Sequence, residues 1–217
     1  HAERCYPVWF TVYAPPGTAA GTYRGPLVMK ANGVNPVPLT LEVTVYDFEL
    51  PVTPALKTDF GFWPDKAAET AAARGGKLPV DAIREQYAAN AFAHRVTLRE
   101  VAQLPAPGGD YGAALAQYLP RLKDLLVKGA TTFAAPPSLI DNVEQLRQAD
   151  AFVAANNLQG RVFCQVSDEP PPPAWPVLVE RMKVWRAAAP NIPLMVTTFG
   201  LQPFLPDGVG IWAVHTP

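Results

Sequence analysis

The hydrophobic pattern changes period once, near residue 50, and that change limits what the chain can fold into. Residues 38–48 read as a strand, and apolar and polar residues alternate strictly through 38–45. Leu39, Leu41, Val43 and Val45 share one side, and Thr40, Glu42 and Thr44 the other. Such alternation describes a strand with one buried and one wet face, as in an antiparallel sheet. Residues 6–14 alternate through Val8, Phe10 and Val12, and a third strand, 22–31, follows the turn-like Pro15-Pro16-Gly17. Three strands are few for a stable module. Residues 1–50 therefore read as the last strands of an antiparallel β-sandwich whose earlier strands precede His1.

Leu50-Pro51-Val52-Thr53-Pro54 reads as a linker. Beyond it, short apolar runs alternate with amphipathic stretches. Strands are expected at 58–63, 95–98, 131–134, 161–167, 194–199 and 210–215, and helices at 79–93, 111–128, 138–157 and 174–189. Many of the 25 prolines fall at the ends of these stretches, and with 49% apolar residues they read as punctuation rather than disorder. Strand starts near 58, 95, 131, 161 and 194 are spaced by roughly one βα unit each, while the last step, from 194 to 210, is too short for a full helix and needs a loop or a single turn. Residues 51–217 are thus expected to form an α/β unit, a partial (β/α)8 TIM-type barrel with about six strands, truncated after the sixth. The alternative is an open doubly wound sheet, whose strand order reverses in the middle.

Formal net charge is −1 with scattered Lys and Arg, so no basic face for nucleic acid is expected. No apolar run reaches the ~18 residues of a membrane span. Nothing at the N-terminus reads as a signal peptide, but the chain begins at His1, not Met, which leaves export open. Cys5 and Cys164 lie far apart in strand-like runs and read as buried free thiols. They suggest neither a disulfide framework nor a metal site, and no cofactor is expected.

The segment Arg161-Val-Phe-Cys-Gln-Val-Ser-Asp168-Glu169-Pro170 carries the most chemical information. A nearly continuous apolar strand ends in two acids, and four prolines prevent its continuation. In α/β barrels the reacting groups sit at strand C-terminal ends. Two carboxylates there suit glycoside hydrolysis, one donating a proton and the other stabilising charge at the anomeric carbon. Consecutive strand residues point to opposite faces, so Asp168 and Glu169 share a pocket only if the strand bends as it ends. Pro170 favours an extended Glu169, which is compatible with a bend. Neighbouring acids are too close for the inverting arrangement. They fit a scheme in which the substrate's 2-acetamido oxygen attacks, one acid orients that group and the other donates the proton. The plainer reading is a solvated or helix-capping acidic dipeptide before proline.

These residues resemble glycoside hydrolase family 123 and its uncharacterised relatives. Three stretches carry the likeness: Pro16–Gly25 with Val37–Pro51, Ser167-Asp168-Glu169-Pro170, and Pro190–Thr198 with Gly210-Ile211-Trp212. They look like the family's last sandwich strands, its acidic pair after the fourth barrel strand, and its fifth and sixth strands. The resemblance implies a retaining, substrate-assisted β-N-acetylgalactosaminidase with a glycan substrate. Asp168 would orient the acetamido group and Glu169 would be the general acid/base. A glycan-degrading role implies an extracellular or periplasmic location; oligomeric state is not legible.

Four further residues are candidates for binding substrate. Trp212 reads about equally as a sugar-stacking platform and as a core residue, and Trp63 has the same two readings with core or loop packing favoured. His215, near a strand end, is positioned to bind a hydroxyl, though lone histidines are more often structural. Arg95 opens the second expected strand, where structural roles are commoner. Two other functions compete: a hydrolase acting on a sugar without an acetamido group, and a non-catalytic carbohydrate-binding or structural protein.

Overall fold

The computed structural model describes residues 7–198 and 209–214. The chain divides into two compact units, His1–Pro51 and Val52–Pro217. Cys5 and His215 lie outside the described residues.

The first unit is a hairpin. Strand β1 (Gly21–Ala31) pairs antiparallel with β2 (Val34–Val45). Ala31 pairs with Val34, so Asn32-Gly33 connects the strands, and Gly33 takes a left-handed φ of 77° that glycine adopts without a steric penalty. β2 starts four residues before its alternation becomes regular, because the turn rather than the hydrophobic pattern fixes where pairing begins. Pro36 and Pro38 are tolerated there because each strand of a two-stranded sheet has an open edge. Residues 7–14, expected as a strand, join no sheet. The β-sandwich expectation is corrected accordingly: the described unit is a two-stranded antiparallel sheet.

In the second unit a parallel sheet has the order β3-β4-β5-β6, with β3 (Phe133–Ala134), β4 (Val162–Asp168), β5 (Leu194–Thr198) and β6 (Ile211–Val214). Helices α3 (Tyr111–Val127), α4 (Val143–Ala155) and α5 (Trp175–Ala188) supply its apolar cover. Leu115 and Leu122 of α3, Leu146 and Val153 of α4, and Met182 and Trp185 of α5 are buried with Val162, Cys164, Leu194 and Val196 of the sheet. Caps set the helix starts: the Asp110 carboxylate accepts from Ala113 N at 3.0 Å, and the Asn142 amide oxygen accepts from Gln145 N at 3.2 Å. The second cap splits the expected helix 138–157 into a 3₁₀ turn, Pro137–Asp141, and α4. Two helices precede the sheet, α1 (Pro64–Ala73) and α2 (Val80–Ala93); α1 was not expected.

Among the described residues the expected (β/α)8-type barrel with about six strands is not present: the parallel sheet they form has four strands in the order β3-β4-β5-β6. Of the first two expected strands, 58–63 and 95–98, only the single bridge Phe60↔Leu98 forms. Threonine hydroxyls take the place of ladder bonds. Thr58 N donates to Thr131 Oγ1 at 3.0 Å, Thr97 N to Thr58 Oγ1 at 2.9 Å, and Thr131 N to Thr97 Oγ1 at 2.9 Å. Side-chain oxygens that satisfy backbone N–H groups compete with strand pairing. The order of the four strands also lacks the reversal that a doubly wound sheet requires.

Candidate active site

Asp168 and Glu169 lie at the C-terminal end of β4, and the backbone there is irregular in two ways. The first is a bulge. Gln165 pairs with Met195 and Ser167 with Val196, so two steps along β4 match one along β5. An extra residue shifts the side-chain alternation by one. Gln165 and Asp168, three apart, therefore share a face. Gln165 Nε2 donates to Thr197 Oγ1 at 2.8 Å and to Asp168 Oδ1 at 3.4 Å.

The second irregularity is Glu169, whose φ of 45° is left-handed in a residue with a side chain. This turns the chain away from the strand line while Glu169 N still donates to Thr197 O at 3.0 Å. Such backbone costs about 1–3 kcal/mol and clusters at functional sites. It replaces the extended geometry expected before Pro170. The turn is tied down further on, where Trp175 Nε1 donates to Pro170 O at 2.8 Å. The Glu169 side chain is exposed, and its carboxylate has no hydrogen-bond or ion-pair partner among the described residues.

Behind Asp168 runs a polar chain. Arg99 Nη1 donates to Gln165 Oε1, and Arg99 Nε and Nη2 both donate to Asp59 Oδ2, the former at 2.9 Å. The Arg99 and Asp59 side chains are only 27% and 13% exposed, so their ion pair is screened less than a surface one. The neighbouring Glu100 carboxylate accepts from Phe62 N at 2.6 Å. Sequence reasoning missed Asp59, Arg99, Gln165 and Thr197. Gln165 gave one signal, as a lone polar residue within an apolar strand. Arg99 gave another, as a charge just past a short apolar run.

The other candidates are scattered. Arg95 closes α2 with φ 62°, its N–H donating to Phe92 O at 3.0 Å. It thus sits at the entry of its stretch, whereas Asp168 sits at the exit of β4. Trp63 immediately precedes α1 and is 67% exposed. Its indole lies over Gly61, where a Cβ would come within 3.2 Å of the ring. Trp212 pairs with Val196 on β5, so the β6 residue level with Thr197 and Asp168 is Ala213. Cys164 is buried, and burial pushes its thiol up to about 12 despite an opposing effect of Arg99. It is therefore no nucleophile at neutral pH. A surface groove of about 620 Å³ runs between α1 and α2, walled by Asp65, Glu69 and Lys77 among others, and neither acid of the pair lines it. Among the described residues no group of three His, Cys, Asp or Glu side chains is placed to hold a metal ion, and no helix is long and apolar enough to cross a membrane.

Compared with models of protein families and with curated proteins, the chain matches none.

Proposed function

We propose that this chain carries the acid pair of a retaining glycoside hydrolase that cleaves terminal β-linked N-acetylhexosamine, galacto-configured by its resemblance to family 123, with substrate assistance. The observation that carries this reading is the asymmetry of the pair. Both acids are exposed, but Asp168 Oδ1 accepts from Gln165 Nε2 at 3.4 Å, whereas the Glu169 carboxylate has no partner among the described residues and sits on a left-handed backbone. A substrate-assisted reaction needs that division. Glu169 protonates the glycosidic oxygen as the acetamido carbonyl oxygen attacks C1 and the C1–O bond breaks. Asp168 holds the acetamido N–H and stabilises the charge on the resulting ring. Water then adds at C1, giving its proton to Glu169 and reopening the acetamide.

The test is turnover of an aryl N-acetyl-β-galactosaminide by the protein that carries this chain. Glu169→Gln is expected to lose most turnover, and a thiazoline mimic of the cyclised intermediate to inhibit. Undiminished turnover by Glu169→Gln rejects Glu169 as the acid. Turnover without thiazoline inhibition favours a hydrolase acting on a sugar that lacks the acetamido group.

A further inference from the structure

We infer that Gln165, with its amide orientation set by Arg99, is the positioning residue that presents Asp168 to the substrate's acetamido group. This rests on the glycosidase reading above. Hydrogen-bond polarity fixes the orientation of the amide. A guanidinium has only donors. Arg99 is held from behind by Asp59, which accepts from Nε and Nη2, so its Nη1 faces forward and Gln165 must turn its Oε1 toward it. That leaves the Gln165 amide hydrogens pointing forward. One goes to Thr197 Oγ1 and the other to Asp168 Oδ1. The chain therefore presents a donor, never an acceptor, to Asp168. It fixes one carboxylate oxygen, and among the described residues the other oxygen is left for an N–H on the substrate.

The bulge between Gln165 and Ser167 is the backbone part of the same device. On a regular strand residues 165 and 168 face opposite ways, and Gln165 cannot reach Asp168. Burial of the Arg99–Asp59 pair makes the orientation stiff, because a largely buried arginine whose Nε and Nη2 both bond Asp59 Oδ2 gives up more on reorienting than a solvated lysine does.

Gln165→Glu tests this, since it keeps size and shape but puts an acceptor where Asp168 needs a donor. Loss of a hydrogen bond to a charged group predicts a fall in kcat of about 10- to 100-fold. KM is expected to change by less than about threefold. The inhibition constant of the thiazoline, whose ring mimics the intermediate that Asp168 holds, rises in parallel with the fall in kcat. Inhibition by free N-acetylgalactosamine stays nearly constant. Arg99→Lys retains the charge against Asp59 but loses the fork, and is expected to lie between Gln165→Glu and wild type.

Wild-type kinetics in Gln165→Glu, alongside an inactive Glu169→Gln, overturn the inference and leave the glycosidase reading standing. Losses in both variants that follow a lowered melting temperature, with KM and both inhibitors affected alike, mark a merely structural role and also overturn it. An inactive wild type, or full turnover by Glu169→Gln, overturns both readings.

Discussion

Glu169→Gly separates the cost of the site from its use. Glu169 holds a φ of 45°, where an L-residue with a Cβ pays about 1–2 kcal/mol. Glycine removes that penalty but gains freedom in the unfolded chain, a loss to the fold of about 0.5–1 kcal/mol. Nothing else offsets the gain. The Glu169 N–H that bonds Thr197 O is backbone and survives the change, and the carboxylate has no partner among the described residues. The net expectation is a stabilisation of about 0–1.5 kcal/mol, read as a rise in Tm of up to ~6 °C for a chain of this size. Turnover is expected to collapse in the same variant. Glu169→Val is the opposing control, because a β-branched side chain is worse placed at positive φ, and it should lower Tm. Thermal and urea unfolding of the three proteins give the answer. A Glu169→Gly variant destabilised by more than about 1 kcal/mol refutes the reasoning, since the carboxylate would then be holding the fold together.

Two further outcomes follow from buried groups. The Tyr118 hydroxyl is buried without a partner among the described residues, so Tyr118→Phe is expected to be neutral or to stabilise by about 1 kcal/mol in urea unfolding; a loss of that size instead would reveal a bond that the hydroxyl makes. Burial pushes Cys164 from its ordinary 9.0 up to about 12, and Tyr111 and Tyr118 from 10.0 up to about 12, with Arg121 opposing the shift at Tyr118. Each raised value means that the unfolded chain ionises first. The stability these groups contribute is thus complete below pH 9 and is lost progressively as pH rises toward 12. Cys164→Ala should delay the start of that loss to near pH 10, where the tyrosines begin to ionise, and an unchanged profile would exclude the thiol as its source.

The helices were legible because their buried residues recur at helical spacing, as in Leu115 and Leu122 or Met182 and Trp185. The parallel order of β3, β4 and β5 followed from their separation by α4 and α5. Helix α1 was missed, although Pro64 at its first turn and the alanines after it are sound helix signals. The Asn32-Gly33 loop was equally readable. It was overlooked because Pro36 and Pro38 blur the start of β2. The bulge on β4 had no signal at all. Val166 and Ser167 suit a regular strand as well as a bulged one, and only the pairing with β5 exposes the extra residue. The acidic pair was thus legible as residues at a strand end, but the face each acid occupies was not.

The overestimated sheet and the overlooked polar chain have one origin. Short apolar runs at 58–63 and 95–98 read as strands, but Thr58, Thr97 and Thr131 bind one another's backbone N–H groups and leave one bridge, Phe60↔Leu98. Phe60 N donates to Thr97 O at 3.0 Å and Arg99 N to Phe60 O at 2.9 Å, which fixes Phe60 level with Leu98. Asp59, one step before the bridge, and Arg99, one step after it, therefore both face away from that pair, onto a common side. There they meet, and from there Arg99 reaches Gln165. A sequence reading that treats both runs as ordinary strands counts two strands too many. It also has no reason to pair an aspartate and an arginine forty residues apart. The threonine layer accounts for the missing ladder, and the one bridge it leaves sets Asp59 and Arg99 on the common side from which Arg99 reaches Gln165.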